Sequence, residues 1–163
     1  MNHEELVAHL ISNGVLRTPR IVEAFRKIDR ENFVPDELKP HAHVDTALPI
    51  GYGQTISQPY TVAFMLELLQ PERSEKILDL GSGSGWTTAL LATIVGENGH
   101  VLGIEVREEL AAFGARNLAK YNVSNGEIRV ASDELGAPDK APFDRSQLYH
   151  RRRRWHEHQP ERH

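Results

Sequence analysis

Three glycines and an acidic residue carry the clearest chemical signal in the sequence. Gly81, Gly83 and Gly85 follow the apolar run ILDL and precede WTTALLATIV, so they join a predicted strand to a predicted helix. Glycine permits a sharp turn and the close approach of a ligand, and the helix N-terminus adds free N–H groups and partial positive charge. Glu105 ends the next predicted strand, where a carboxylate can accept both hydroxyls of a ribose. This pattern predicts a nucleoside-binding site.

The spacing within this loop favours one nucleoside cofactor over another. The glycines follow G-x-G-x-G and not the dinucleotide pattern G-x-G-x-x-G. Asp79, two residues before the first glycine, is typical of S-adenosylmethionine sites; Ser82 lies inside the loop, and Asp133 ends the third predicted strand, where it could meet an adenine edge. We therefore expect S-adenosyl-L-methionine in preference to NAD. The alternative without a ligand is that the glycines only form a tight turn.

The elements that must position these residues alternate between strands and helices. EKILDL, HVLGIEV and GEIRVAS predict three strands, and WTTALLATIV and REELAAFGARNLAKY predict two helices, the second weakened by Gly114. Strands that alternate with helices predict an α/β fold with a parallel sheet and right-handed crossovers.

The chain before the sheet reads as helical. Apolar residues recur at helical spacing in residues 6–11 and 21–28, and Pro19 suits a first helical position. The prolines and glycines of residues 48–60 predict a loop, and YTVAFMLELL then predicts a buried helix. We expect a helical cap ahead of the sheet.

Composition excludes several classes of protein. The 163 residues fit one domain, and a net charge of −4 does not suit a nucleic-acid-binding protein as a whole. The absence of cysteine excludes a disulfide scaffold, thiol catalysis and cysteine-ligated zinc. The acidic, amphipathic start MNHEELVAHL is not a signal peptide, and no apolar run reaches the length of a membrane span. We expect a soluble, cytoplasmic protein without membrane contact.

The segment LPIGYGQTISQP, residues 48–59, is a second and more specific motif. It resembles the LPIGxGQTISxP loop of protein-L-isoaspartate O-methyltransferases, and VEAFRKIDRENFVP and ASDELGAPDKAPFD resemble two further segments of that family, over roughly residues 15–145. The resemblance implies a Rossmann-like class I methyltransferase fold. Residues 1–71 would form a helical cap and substrate loop, and residues 72–145 an incomplete cofactor domain of about three parallel strands plus the start of a fourth.

The resemblance also implies a reaction. The family uses S-adenosyl-L-methionine to methylate the free α-carboxylate of L-isoaspartyl residues in damaged proteins, and the ester then cyclises to a succinimide, which is a step of protein repair. A carboxylate with a pKa near 4 is ionised at neutral pH, so the reaction needs no general base. The enzyme has to align the reactants and exclude water. The implied partners are isoaspartyl proteins, and the family is monomeric.

Residues of the second motif take their expected roles from the same resemblance. Ser57 would be catalytic, because its hydroxyl could donate to the substrate carboxylate; alternatively, it only caps the helix opened by Pro59. Gln54, Thr55 and Ile56 would line the methionine end of the cofactor.

Two positions just before the motif are harder to interpret. Asp45 matches an acid of the family without a role that can be derived, and a solvated loop acid is the alternative. His43 stands where the family usually has tyrosine, and as a lone loop histidine it is expected at the surface and not as a ligand.

The C-terminal stretch SQLYHRRRRWHEHQPERH departs abruptly from the family after Arg145, where a central strand of the type IxVTAA is expected. We interpret residues 146–163 as a divergent, basic and disordered tail that follows a truncation or a frame shift. Without the fourth strand, KILDL would become an edge strand, which predicts marginal stability or edge-to-edge association.

Other interpretations of the tail remain open. The run from Arg151 to Arg154 with Trp155 could bind phosphates and stack on a base. His150, His156 and His158 could bind a metal, although their spacing matches no standard site. A purification artefact is a third interpretation, and we favour a solvated tail, with no nucleic-acid partner and no metal.

Three classes of function therefore compete with the leading one. The first is a non-catalytic remnant that binds S-adenosylmethionine, or an unstable product without function. The second is a methyltransferase or interaction module that acts on nucleic acid through the arginine run, and the third is a small-molecule O-methyltransferase. The GQTISQP segment argues against the third.

Overall fold

The structure is a computed structural model that describes residues 1–134 and 136–148. The nucleic-acid and metal interpretations of the tail concern residues that lie outside this described part.

The N-terminal part consists of helices and one hairpin. Helix α1 (His3–Ser12) begins at a capping box in which Asn2 and Glu5 bond reciprocally. Helix α2 (Pro19–Lys27) has proline at its first turn, as predicted, and two short 3₁₀ turns follow it. Helix α3 (Pro59–Leu69) precedes the sheet, so the predicted helical cap is present.

Residues 48–56, predicted as part of a loop, form an antiparallel hairpin of β1 (Leu48–Gly51) and β2 (Gln54–Ile56). The reason is the turn between the strands, where Tyr52 and Gly53 have φ angles of 55° and 69°. Two residues with positive φ form the tight turn that matches the twist of paired strands.

The rest of the described chain is the predicted α/β unit. Its four strands are all parallel and lie in the order β5-β4-β3-β6. The elements are β3 (Lys76–Leu80), α4 (Trp86–Val95), β4 (His100–Glu105), α5 (Glu108–Leu118), β5 (Gly126–Val130) and β6 (Arg145–Leu148). This is the Rossmann-like fold class that the sequence predicts.

The prediction that KILDL is an edge strand is wrong. Strand β6 pairs with β3 in parallel, from Ile77 opposite Arg145 to Leu80 opposite Leu148. Strand pairing uses backbone groups that every residue has, so the divergent side chains of β6 do not prevent it. The Arg145 guanidinium also binds the Glu75 carboxylate at 2.8 Å, at the start of the pairing. In the described part of the chain, β6 and not β3 is the outer strand on this side.

Helix α4 lies between the cap and the sheet. All but one of its residues are buried, and the apolar ones belong to a single apolar cluster that extends from Leu6 in α1 to Leu118 in α5. Phe25 of α2 meets Trp86 at the start of α4 edge to face, with ring centroids 5.7 Å apart. The cap is therefore packed directly on the helix that follows the glycine loop. Within the described residues no helix combines the length and the apolar character needed to cross a membrane.

Candidate cofactor and substrate site

The glycine loop joins β3 to α4 and folds over the end of the neighbouring strand. Gly81, Gly83 and Gly85 have φ angles of 78°, 53° and 90°, a region that favours glycine. The backbone N–H groups of Gly81 and Ser82 donate to the Ile104 carbonyl at 2.8 and 3.0 Å. The loop is therefore held at the carboxyl end of β4, where ligands bind in open parallel sheets.

Glu105 comes to this loop, as the spacing predicts. It is 5% exposed, and its two carboxylate oxygens accept hydrogen bonds from the backbone N–H groups of Gly83 at 2.8 Å and of Arg107 at 3.0 Å. Each oxygen keeps capacity for a further donor. The carboxylate is thus fixed beside the glycine loop and can still accept hydroxyl groups.

Helix α5 contacts the other side of the loop, and it does so because Gly114 has no side chain. A Cβ at Gly114 would lie 2.9 Å from the Gly83 carbonyl oxygen, and one at Gly85 would lie 2.9 Å from the Gly114 carbonyl oxygen. The Asn117 side-chain amide donates to the Ser84 carbonyl at 3.0 Å. The glycine that weakens the helix intrinsically is thus what lets α5 support the loop. Sequence analysis missed Asn117, whose signal is a polar residue on the apolar face of an amphipathic helix.

Asp79 is fully buried beneath the loop. Its Oδ2 accepts a hydrogen bond of 2.7 Å from the Thr88 hydroxyl, whereas its Oδ1 has no partner in the described part of the chain. Burial raises the pKa of Asp79, the Thr88 hydrogen bond lowers it and the nearby charge of Glu105 raises it, and the combined result is a pKa of about 6. The carboxyl group is therefore poorly compensated within the protein.

Two more polar atoms of the loop region, Ser82 Oγ and Trp86 Nε1, are also buried without a hydrogen-bond partner among the described residues. Together with Asp79 Oδ1 they put three unpaired polar atoms in eight consecutive positions, 79–86. Buried polar groups normally have partners. The unpaired atoms, the turn of glycines and the Glu105 carboxylate suit a polar nucleoside ligand such as S-adenosylmethionine.

The β1–β2 hairpin lies against the glycine loop. A Cβ at Gly83 would be 3.4 Å from the Ile50 side chain. Ile56 is buried in the main apolar cluster, while Gln54 and Thr55 are half-buried. The structure thus joins the two sequence motifs, and the contacts of Gln54, Thr55 and Ile56 with a cofactor stay predictions.

Arg30 binds the backbone of the hairpin segment, residues 42–57. This role was not predicted from the sequence. The Arg30 side chain is fully buried, and its terminal nitrogens donate to four backbone carbonyls, those of Ala42, Val44, Thr46 and Ser57, at 2.8 to 3.3 Å. Its guanidinium also lies 5.4 Å from the centre of the Trp86 ring. Burial lowers the pKa of Arg30 to about 10, and the charge of Asp45 opposes the change, so the group stays protonated at neutral pH. The available signal was the arginine in RENFVP.

The first turn of α3 is capped by Asp45 and not by Ser57. The Asp45 carboxylate accepts a hydrogen bond of 2.8 Å from the Tyr60 N–H, one of the free donors of the first turn. The N-cap position is Gln58, so the alternative that Ser57 caps this helix is wrong. Ser57 is half-buried, and its carbonyl accepts from Arg30 at 3.1 Å.

Two further expectations need correction. Strand β5 ends at Val130, so Asp133 does not end the strand but is exposed in the loop after it; its contact with an adenine stays a prediction. His43 is not a surface residue, because its side chain is 14% exposed and its Nε2 lies 2.7 Å from Asp29 Oδ1.

The chain matches a family model described as protein-L-isoaspartate(D-aspartate) O-methyltransferase over residues 1–148. The match extends to Leu148, the last described residue of β6, three residues beyond the point where we placed the departure from the family.

Curated relatives and solved structures agree with the family model. Protein-L-isoaspartate O-methyltransferases of Ignicoccus hospitalis and Methanopyrus kandleri are 42% and 43% identical over 86% and 87% of this chain, and the matches cover 67% and 63% of those proteins. The chain thus spans about two thirds of the length of the curated relatives it matches.

A solved protein-L-isoaspartate O-methyltransferase superposes with a TM-score of 0.77 and 26% identity, over 88% of this chain and 46% of that one. A Plasmodium falciparum beta-aspartate methyltransferase structure in complex with S-adenosyl-L-homocysteine gives 0.71 and 25%, over 79% of this chain and 62% of that one. With the family model matched from residue 1 to residue 148, the chain belongs to the protein-L-isoaspartate(D-aspartate) O-methyltransferase family.

Proposed function

We propose that this protein transfers a methyl group from S-adenosyl-L-methionine to the free α-carboxylate of L-isoaspartyl residues in damaged proteins. One observation carries the proposal: the hairpin of the LPIGYGQTISQP segment lies against the glycine loop, with Ile50 next to Gly83. Two motifs that are far apart in the sequence therefore form one site, with a place for a nucleoside cofactor on one side and hydroxyl-bearing residues on the other.

The proposed cofactor contacts use groups that the fold already holds in place. Glu105, fixed by two backbone N–H groups, would accept the ribose hydroxyls, and the N–H groups at the start of α4 would face the methionine end. Asp79 Oδ1 and Ser82 Oγ are buried and have no partner among the residues that the structure describes, so they have hydrogen-bonding capacity left for the ligand or for ordered water. Bound there, the cofactor supplies an electrophilic methyl group on a sulfonium.

Ser57 would orient the substrate. An α-carboxylate is ionised at neutral pH and needs no base, so the contribution of the protein is alignment. The Ser57 hydroxyl can donate to that carboxylate, while its own carbonyl is held by Arg30. The methyl–oxygen bond forms as the methyl–sulfur bond breaks, and no proton has to move.

Isoaspartyl proteins and peptides are the proposed partners, and the cytoplasm is the proposed location. A second candidate function is cofactor binding without transfer, because the matched relatives are longer than the matched region. Calorimetry with S-adenosyl-L-homocysteine separates the two candidates: binding without methyl transfer supports the second.

The proposal is tested by methyl transfer to an isoaspartyl peptide by the wild-type chain and by Ser57→Ala. We expect transfer by the wild type and a kcat/KM roughly 10- to 100-fold lower in the variant, the value of one hydrogen bond to a charged group. Thr61→Ala, which removes an exposed hydroxyl from the first turn of α3, is the control and should leave the rate unchanged. No transfer by the wild type, or equal rates for Ser57→Ala and the wild type, would contradict the proposal.

A further inference from the structure

A cluster of two histidines and a carboxylate lies outside the cofactor and substrate site. His3 begins α1, Asp29 follows α2, and His43 precedes the hairpin. One potential ligand atom from each residue lies within 4.8 Å of the other two. The histidine side chains are 21% and 14% exposed and the aspartate 30%, so the cluster is partly shielded and still reachable from solvent.

The hydrogen bond on the far side of His3 indicates which of its ring nitrogens carries a proton. His3 Nε2 lies 3.1 Å from the Arg26 carbonyl oxygen, which can only accept, so Nε2 carries the proton. In the neutral ring, Nδ1 then carries no proton and is a hydrogen-bond acceptor. That atom is buried, has no hydrogen-bond partner within residues 1–134 and 136–148, and lies 3.6 Å from Asp29 Oδ1. Two acceptors face each other across this gap, an arrangement that an electropositive group between them would stabilise.

The distances suit a transition-metal ion. Tetrahedral zinc at about 2.0–2.1 Å from nitrogen and oxygen holds its ligand atoms roughly 3.3 Å apart. The observed separations are 3.6 Å from Asp29 Oδ1 to His3 Nδ1 and 2.7 Å from Asp29 Oδ1 to His43 Nε2. A metal ion that displaces the proton between His43 Nε2 and Asp29 Oδ1 would let these two atoms move apart from 2.7 Å to the separation of metal ligands.

The groups around His3 and Asp29 already orient these two side chains as metal sites require. Ligand histidines usually donate their second ring nitrogen to a carbonyl or a carboxylate, as His3 donates to Arg26. The Glu31 N–H donates to Asp29 Oδ1 at 2.9 Å and fixes the carboxylate. Imidazole and carboxylate ligands together suit zinc, copper or nickel better than calcium or magnesium.

We propose that His3 Nδ1, Asp29 and His43 Nε2 form a binding site for a zinc-class divalent ion. The ion would join the first turn of α1 to the segment just before the hairpin. Arg30 binds the carbonyls of Ala42 and Val44, on either side of His43, so the two tethers act on the same segment. The site is independent of the proposed methyl transfer, and it would stabilise the fold whether or not the chain is active.

The test is a cobalt titration of the metal-free full chain and of three variants. Co²⁺ with fewer than six ligands absorbs strongly in the visible region and serves as a probe for zinc. His3→Gln and His43→Gln each remove one ligand, and His9→Gln makes the same change in α1, at a histidine outside the cluster. The histidines of residues 149–163 are present in all four proteins, so differences among the proteins report on the cluster alone.

We expect the wild type and His9→Gln to bind one more equivalent of Co²⁺ than the two cluster variants, or to bind it at least about tenfold more tightly. Zn²⁺ should raise the Tm of the first two proteins and leave that of the cluster variants unchanged. Circular dichroism checks that each variant is folded, and if one cluster variant unfolds, the other decides. Equal cobalt uptake by all four proteins, or a Tm of the wild type that does not respond to Zn²⁺, would overturn the proposal.

Discussion

The two halves of the candidate site are held in different ways. The glycine loop is held at several points along its backbone: its N–H groups donate to the Ile104 carbonyl and the Glu105 carboxylate, and α5 supports it through Gly114 and the Asn117 side chain. The hairpin segment is held by a side chain from elsewhere, because Arg30 reaches four of its carbonyls from the turn after α2.

This difference decides what a substitution can do. A backbone-held loop tolerates changes of side chain but not the addition of a Cβ at a point of close contact. A segment in which one buried arginine binds four carbonyls depends strongly on that residue, because its loss removes the donor from all four carbonyls at once. The comparison therefore predicts the largest loss at Arg30 and smaller losses around the loop.

The largest effect is expected for Arg30→Met, which keeps the apolar stem and removes the guanidinium. We expect the free energy of unfolding to fall by about 3–5 kcal/mol, since several buried or half-buried carbonyls lose their donors at roughly 1–3 kcal/mol each. Urea unfolding measures the change. Arg26→Met on the exposed face of α2 is the control. A loss below about 1 kcal/mol for Arg30→Met would show that the hairpin segment does not depend on this side chain.

The second effect is a pH dependence from Asp79, on the loop side. Its pKa of about 6 in the folded protein lies above the ordinary value of 3.8. The unfolded chain therefore releases this proton first, and the stability contributed by the protonated form is lost as pH rises from about 4 to about 6. Asp79→Asn has no such loss, so its stability relative to the wild type should rise across this window by an amount on the order of 3 kcal/mol.

Urea unfolding at pH 4 and at pH 7 measures this change for Asp79→Asn and the wild type. Thr88→Val sharpens the test, because it removes the hydrogen bond that favours the ionised Asp79 and should extend the loss to higher pH. If the free energies of unfolding of Asp79→Asn and the wild type differ by the same amount at both pH values, the raised pKa of Asp79 is refuted.

Gly114→Ala has two opposite effects on stability, because it raises helix propensity and crowds the packing of α5 on the loop. Alanine is favoured over glycine in a helix by about 1 kcal/mol. The added Cβ would lie 2.9 Å from the Gly83 carbonyl, so we expect a net destabilisation of about 1–3 kcal/mol instead. Thermal or urea unfolding measures it. Ala115→Gly, at the next and exposed position, makes the reverse change and should lose about 1 kcal/mol from propensity alone. A stabilised Gly114→Ala would mean that α5 does not support the loop closely.

The smallest effect is expected for Asp45→Ala. The loss of a cap at the start of α3 typically costs about 1 kcal/mol. Glu37→Ala, which removes an exposed acid from a nearby 3₁₀ turn, is the control. Equal stability of the two variants would show that the bond from Tyr60 to Asp45 contributes nothing measurable.

The same difference explains how far the sequence predicts the structure. The glycine loop, Glu105 and the order of strands and helices follow local rules of spacing and periodicity, so sequence analysis finds them. The hairpin turn at Tyr52 was missed because tyrosine rarely takes a positive φ. The role of Arg30 was missed because its partners lie 12 to 27 positions away in the chain.

Strand β6 extends into the segment for which a disordered tail was predicted from the sequence. Its side chains do not follow a strand pattern, and Gln147 is buried without a partner for its amide among the described residues. Strand β6 pairs with β3 through backbone groups, and the ion pair of Arg145 with Glu75 lies at the start of this pairing. Neither feature is visible in the pattern of apolar and polar side chains.

The most direct test of the central claim is the initial rate of methyl transfer from S-adenosyl-L-methionine to two peptides of the same sequence, one with an L-isoaspartyl and one with a normal aspartyl residue. A carboxyl methyltransferase whose hairpin and glycine loop form one site should methylate the isoaspartyl peptide and leave the aspartyl peptide at the background rate. Equal rates for the two peptides, or background rates for both, would contradict that claim.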